Sequence, residues 1–191
     1  MNPFHIIHQH YDPGSDLYRV LVTHSILVTQ KALDIATVFQ AREPQHEIDL
    51  TFIYEAAMLH DIGILRCDAP EIFCPGSAPY ICHGMIGREI LESAGLPRHA
   101  LVCERHTGAG LSQQNVIEQK LPLPLRDYLP VSLEEKIICL ADRFYSKIPQ
   151  KLFYEYNLRH VHQQMSAWGP EILARFENLC DLLLPNWRQS E

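Results

Sequence analysis

The chain has 191 residues, 47% of them hydrophobic, and a formal net charge of -7 at neutral pH. That length supports one domain with a full core. The acidic balance, with no run of Lys or Arg, excludes a general nucleic-acid binder, which needs a basic stripe for backbone contacts. The first residues lack a leader pattern and no apolar run approaches membrane-spanning length, so a cytoplasmic address is expected. Cys67, Cys74, Cys82, Cys103, Cys139 and Cys180 show no C-x-x-C spacing. They read as free thiols packed as small apolar groups, not as a zinc site or a disulfide framework.

In chain order, His5, His8 and His10 crowd the N-terminus and are assigned to the surface, because Asp12-Pro13-Gly14-Ser15 breaks the segment straight afterwards. Ser15 or Asp16 then caps a long predicted helix through about Arg42. Val20, Leu21, Leu27, Val28, Leu33, Ile35 and Val38 supply its apolar positions, and His24 falls on or beside that face. Glu43-Pro44-Gln45 breaks the helix, and the next begins near Ile48. Within it Phe52, Ile53, Ala56, Ala57, Leu59 and Ile62 recur at three- and four-residue steps, the pattern of a mostly buried helix. His60 and Asp61 close this run, with Gly63 as the expected stop. Neighbours on a helix point roughly 100° apart and can lean toward one point beside the axis. A divalent cation there would satisfy both side chains at once; hydrogen bonds to the backbone are the alternative.

The stretch from Cys67 to Cys82 carries three prolines and a glycine and reads as a long structured loop, a type of segment often tied to function. His83 opens a helix that ends at Gly95 before Pro97. Pro97 begins a shorter helix that finishes at Arg105-His106, where Thr107-Gly108-Ala109-Gly110 releases the chain. Leu111 to Pro130 is expected to be irregular with one short helical turn at most. Ser132 and Glu135 form a reciprocal capping-box pattern and open a helix through Ile137, Ile138, Ala141, Phe144 and Tyr145. Asp142 is embedded in it, and an ionised carboxylate there costs several kcal/mol without a partner. A metal is one partner; Arg143 or Lys147 is the other. Further on, Leu158 to Met165 predicts one helix, and Trp168-Gly169-Pro170 introduces another through Leu184, with His160 and His162 exposed. With no repeat and no β-type alternation, the expected architecture is all-α: one domain over residues 1–191, core about 16–150, with a helical extension over 151–191.

The His60-Asp61 pair shares one predicted helix, and His24, His83, His106 and Asp142 each fall on a separate predicted helix or helix end. Mixed imidazole and carboxylate donors suit Fe, Mn, Ni, Co or Zn and not an all-oxygen Mg or Ca cage. Six ligands exceed the need of one four-coordinate ion and fit two ions sharing a bridging carboxylate. At this point the sequence resembles the HD-domain metal-dependent phosphohydrolase superfamily, and within it the HDIG subgroup. The motifs are His60-Asp61-Ile62-Gly63, His24 in the first helix, His83 in PYICHGMIGRE, His106 in ERHTGAG and Asp142 in CLADRFYSK, spanning about Val20 to Lys147. The resemblance implies a helical bundle in which His24, His60, Asp61 and Asp142 hold a first ion. Asp61 bridges to a second held by His83 and His106, and Asp61, His83 and His106 take the catalytic part. Ile64-Leu65 stands where the cyclic-dinucleotide phosphodiesterase branch has a lysine, and that branch's GYP motif is missing after His106. That branch is disfavoured.

The expected activity is hydrolysis of a small phosphate ester or nucleotide, as a phosphomonoesterase or phosphodiesterase, by attack of metal-activated hydroxide. Arg66, Arg105, Arg143 and Lys147 adjoin ligand-bearing segments and are candidates to engage phosphate. Phe73, Tyr80 and Tyr145 are candidates to stack on a base. The expected partner is a small phosphorylated substrate, a nucleotide among them, with no nucleic-acid polymer and no membrane; homo-oligomerisation is left open. Two rivals stand beside this expectation: a di-iron oxygenase of the same superfamily that cleaves a C-P or C-C bond, and a non-catalytic ligand-binding module.

Overall fold

Helix α1 (Pro3–His10) starts where Asn2 accepts a hydrogen bond from the Phe4 N–H and Pro3 takes the first helical position. This short helix was not anticipated; it is anchored by fully buried Ile7, while His5 and His8 stay exposed. The structure is a computed structural model and describes residues 1–189. Ser15 caps α2 (Asp16–Arg42) by accepting from the Tyr18 N–H. The positions α2 buries include Leu17, Val20, Leu21, His24, Val28, Ala32, Ile35 and Phe39, steps of three and four residues that form one stripe.

Asp49 caps α3 (Leu50–Leu59), which packs along α2. The helix ends earlier than expected. His60 is its C-cap, Asp61 lies beyond it, and Ile62–Arg66 is a 3₁₀ turn. The Cys103 thiol reaches the Leu59 carbonyl at 3.2 Å, and the buried Tyr11 hydroxyl donates to the Ile62 carbonyl at 2.8 Å. Gly63 is therefore not a helix stop. A Cβ at Gly63 would stand 2.1 Å from the His83 carbonyl oxygen and 2.5 Å from the Gly87 nitrogen, so the residue is there to let α4 (His83–Ser93) touch the turn. Gly84 repeats the device on the next contact, since a Cβ there would meet the Cys103 carbonyl of α5 (Pro97–Arg105) at 2.5 Å.

Between the turn and α4, residues 67–82 hold a two-residue antiparallel pair, β1 (Asp68–Ala69) with β2 (Cys74–Pro75). After α5 comes a six-residue helix, α6 (Gln113–Glu118), in the otherwise irregular stretch. Glu104, buried at the end of α5, has Arg88 of α4 and Arg126 each at 2.5 Å, which ties α4, α5 and that stretch together. Ser132 caps α7 (Leu133–Asp142) as expected, but the box is only half formed. The Glu135 carboxylate accepts from the Val131 N–H and pairs with Arg105 at 3.1 Å instead of turning back to the Ser132 N–H. Helices α8 (Leu158–Ala167) and α9 (Pro170–Leu183) pack on each other, and α9 rests on α7. His160 is exposed, whereas His162 is half-buried and faces Glu177 at 2.9 Å. No helix among the described residues is long and apolar enough to cross a membrane.

The core divides into two apolar clusters. One gathers α3, α7 and α9 around Val28, Ile53, Ile137 and Phe176; the other gathers α1, α4 and α5 around Ile7, Leu21, Leu59 and Leu91. α2, α3 and α5 contribute to both; His24 and His106 lie where their segments pass from one cluster to the other, and His60 follows shortly after the passage in α3. Polar side chains are thus gathered along a seam with dry walls on both sides.

Candidate metal centre

His24 projects from mid-α2, His60 and Asp61 from the end of α3, His83 from the first turn of α4, His106 from the C-cap of α5 and Asp142 from the last turn of α7. All six are buried. They form two overlapping groups, His24, His60, Asp61 and Asp142 in one and Asp61, His83 and His106 in the other, with donor atoms within 4.8 Å of each other in each group. Asp61 belongs to both, and its two oxygens are divided between them. Oδ2 lies 3.0 Å from His60 Nε2 and 3.3 Å from His24 Nε2. Oδ1 lies 3.5 Å from His83 Nε2 and 3.4 Å from His106 Nε2.

The backbone fixes three of the four imidazoles. His60, His83 and His106 place Nδ1 2.6, 2.7 and 2.8 Å from the carbonyls of Ala57, Tyr80 and Cys103. A carbonyl only accepts, so each Nδ1 carries the proton and each Nε2 presents a lone pair to the centre. Burial pushes His24 and His83 down to about 3 and His106 to about 4, so these rings are neutral at neutral pH. Burial alone would raise Asp61, but the imidazoles around it and the Lys147 ammonium outweigh burial and hold the carboxyl well below the usual range.

These residues fit divalent metal ions. The Nε2 atoms of His83 and His106 stand 3.0 Å apart with neither carrying a proton, an arrangement that repels unless a cation accepts both lone pairs. His60 Nε2 and Asp61 Oδ1 are enclosed and make no hydrogen bond among the described residues. Asp142 pairs with adjacent Arg143, and Lys147 Nζ sits 2.6 Å from Asp61 Oδ2. The negative charge of Asp61 keeps Lys147 protonated, raising its pKa against the effect of burial.

A cavity of about 370 Å³ adjoins this centre, with His83, Asp142, Arg143 and Lys147 in its lining. Two of the four basic candidates therefore reach it. Arg66 does not: its side chain is 55% exposed and 4.0 Å from Glu89, because the 3₁₀ turn carries it to the opposite side. Arg105 is held by Glu135. Among the aromatic candidates Tyr80 and Tyr145 line the cavity, Tyr80 stacked on His83 with centroids 4.7 Å apart. Phe73, in the left-handed region at φ 63°, lines a different hollow beside Tyr11. Tyr156, Gln164, Met165 and Trp168, which also line the cavity, were not anticipated as site residues. Only the unusual Trp-Gly-Pro junction marked that region, and it signalled a helix boundary.

The sequence profile of the HD domain matches residues 21–146, about two-thirds of the chain and all six donor residues. The chain belongs to the HD-domain family. Among curated proteins, it is 37% identical over 123 residues to an uncharacterized protein of Methanocaldococcus jannaschii, covering 64% of each chain. It is 36% identical over 99 residues to a tRNA (cytidine(56)-2'-O)-methyltransferase of Picrophilus torridus, 51% of this chain and 25% of that one. The enzyme of the same name in Thermoplasma volcanium is 29% identical over 137 residues, 71% of this chain and 34% of that one. The matched region thus spans less than two-thirds of each of these relatives. No solved structure gives a significant match. As an HD-domain protein the chain has the fold of metal-dependent hydrolases, and its buried His and Asp groups are those of a divalent-metal site.

Proposed function

We propose that this protein, as a member of the HDIG subgroup, hydrolyses the phosphate ester of a small molecule, with two divalent transition-metal ions held by the six buried residues. The observation that carries this is the division of Asp61, one carboxylate turned to two donor groups, whose members His83 and Asp142 line a cavity with Arg143 and Lys147 as its cations. His24, His60, Asp61 and Asp142 would hold one ion; Asp61, His83 and His106 would hold the other. Bound there, such ions lower the pKa of a water molecule and neutralise charge on phosphate oxygens.

The chain's own groups do the rest. Arg143 and Lys147 offer N–H donors to the phosphate as it descends into an otherwise acidic protein, and their positive charge favours the dianion. The backbone carbonyls of Ala57, Tyr80 and Cys103 hold three imidazoles in one tautomer and one orientation, so no reorganisation is needed when phosphate arrives. The apolar clusters on either side of the seam exclude bulk water and strengthen each of these interactions. In the reaction one P–O bond forms from water, the ester P–O bond breaks, and the proton of water ends on the released alcohol. The methyl transfer in the names of two relatives is not carried over, since the matched segment is 25% and 34% of those chains.

The test is turnover of a panel of phosphate monoesters and diesters with added Mn, Fe, Co or Ni, beside the double variant His60→Ala, Asp61→Ala. The variant is expected to lose more than about 1,000-fold. Equal turnover by both proteins rejects the proposal.

A further inference from the structure

The cavity has two chemically different ends. One end carries Asp142, Arg143 and Lys147; the other is lined by Tyr156, buried Met165 and exposed Trp168, all beyond residue 146, where the HD-domain match stops. This second end is a constructed surface and not a frayed one. The Tyr156 N–H donates to the Phe144 carbonyl at 2.8 Å, and the Tyr156 ring stacks on His160 with centroids 4.4 Å apart. Neighbouring Glu155 is bound by Lys31 at 2.6 Å and by the Tyr145 hydroxyl at 3.0 Å.

Trp168 is the least expected member. It is the C-cap of α8 and remains 48% exposed, an unfavourable place for a large apolar ring unless something covers it. Yet the ring has a prepared seat. Gly108, two residues after His106, has φ 63°, and a Cβ there would come within 3.1 Å of the Trp168 ring. The loop that leaves a donor residue is thus kept bare on the side where the indole rests. Ring systems stack well on Trp and Tyr because both present broad π faces at little conformational cost.

We infer that the C-terminal extension makes the site selective for phosphate esters whose alcohol carries a planar aromatic ring, a nucleobase on its sugar, and that Trp168 is the specificity-determining residue. The inference rests on the phosphohydrolase proposal and adds the substrate class. Phosphate would bind at the Arg143 and Lys147 end and the ring at the Trp168 and Tyr156 end. A cavity of about 370 Å³ lies in the range that holds ligands of this size.

The chain has two tryptophans, Trp168 in the cavity lining and Trp187 buried near α9, so fluorescence can report binding without turnover. In a Trp187→Phe variant, adenosine 5′-monophosphate is expected to quench the emission of Trp168, while ribose 5-phosphate at the same concentration leaves it unchanged. The reverse variant, Trp168→Phe, keeps Trp187 and is expected to lose the response to the nucleotide. In steady-state kinetics Trp168→Ala should reduce the preference for the nucleotide over ribose 5-phosphate, measured as a ratio of kcat/KM values, by about 10-fold. Trp168→Phe should restore part of it. Equal quenching by both probes, quenching by neither, or an unchanged preference in Trp168→Ala overturns the inference. Quenching by the nucleotide without turnover of any ester leaves the ring site standing and removes the phosphohydrolase proposal instead.

Discussion

The two halves of the metal centre are built to different rules. In the half formed by Asp61, His83 and His106, both imidazoles are locked by backbone carbonyls, lone pair faces lone pair at 3.0 Å, and Lys147 meets Asp61 on Oδ2, the oxygen turned to the other half. In the half formed by His24, His60, Asp61 and Asp142, only His60 is locked. His24 Nε2 can donate to Asp142 Oδ1 at 2.9 Å, while Lys147 and Arg143 add positive charge to the carboxylates. The first half is therefore specified for a cation by its tautomers. The second is a charge-balanced network, and each half lines the cavity through one residue, His83 in the first and Asp142 in the second.

Removing the residue the halves share should have the largest effect. Asp61→Ala is expected to lower phosphate-ester turnover by more than about 1,000-fold and to abolish binding in both groups, read as metal per chain by elemental analysis. His83→Ala should separate them: metal content is expected to fall from two ions to one, because the four donors of the other half are untouched. Retention of two ions in that variant would break the comparison.

Next in size is the packing that brings the halves together. Gly63→Ala forces a methyl group into the His83 and Gly87 backbone, and neither can yield as a side chain would. A loss of about 3 kcal/mol is expected, a fall of roughly 6–12 °C in Tm, with weaker binding in the half that contains His83. Calorimetry beside a metal titration checks both.

The pH response comes third. With folded values of about 3, 3 and 4 against about 6.5 unfolded, His24, His83 and His106 bind fewer protons in the native state. Stability is therefore present above pH 6.5 and is lost as pH falls from there, down to about 4 for His106 and about 3 for His24 and His83, each imidazole contributing on the order of 1 kcal/mol per pH unit. Urea unfolding of chelator-treated protein at several pH values measures the slope, and His106→Asn should flatten it. The smallest effect belongs to the charge-balanced half: Lys147→Gln should raise KM for the phosphate ester about 10-fold while metal content holds.

Much of this was legible in the chain. The mixed three- and four-residue apolar steps of Val20 to Phe39 define α2 almost to the residue, those of Phe52 to Leu59 place α3 but not its end, and Ser15 and Ser132 announce their helices by capping chemistry. The six donors were legible because His and Asp at apolar positions are costly and so conspicuous. Gly63 was misjudged, since a glycine after a helix looks the same whether it ends the helix or admits a neighbour's backbone. Arg66 and Arg105 were placed by adjacency to ligands, but neighbours in a helical turn point in different directions, and Glu89 and Glu135 hold them elsewhere.

The sequence by itself determined which side chains are too polar for their apolar surroundings, and hence most of the helices and the six candidate donors, because local periodicity and burial cost are properties of short segments. Tertiary structure alone decided that Asp61 divides its oxygens between two groups, that Gly63 and Gly84 allow α4 to close on its neighbours, and that Trp168 stands over Gly108 in the cavity lining. Each of those depends on the relative placement of segments tens of residues apart, which hydropathy along the chain does not encode.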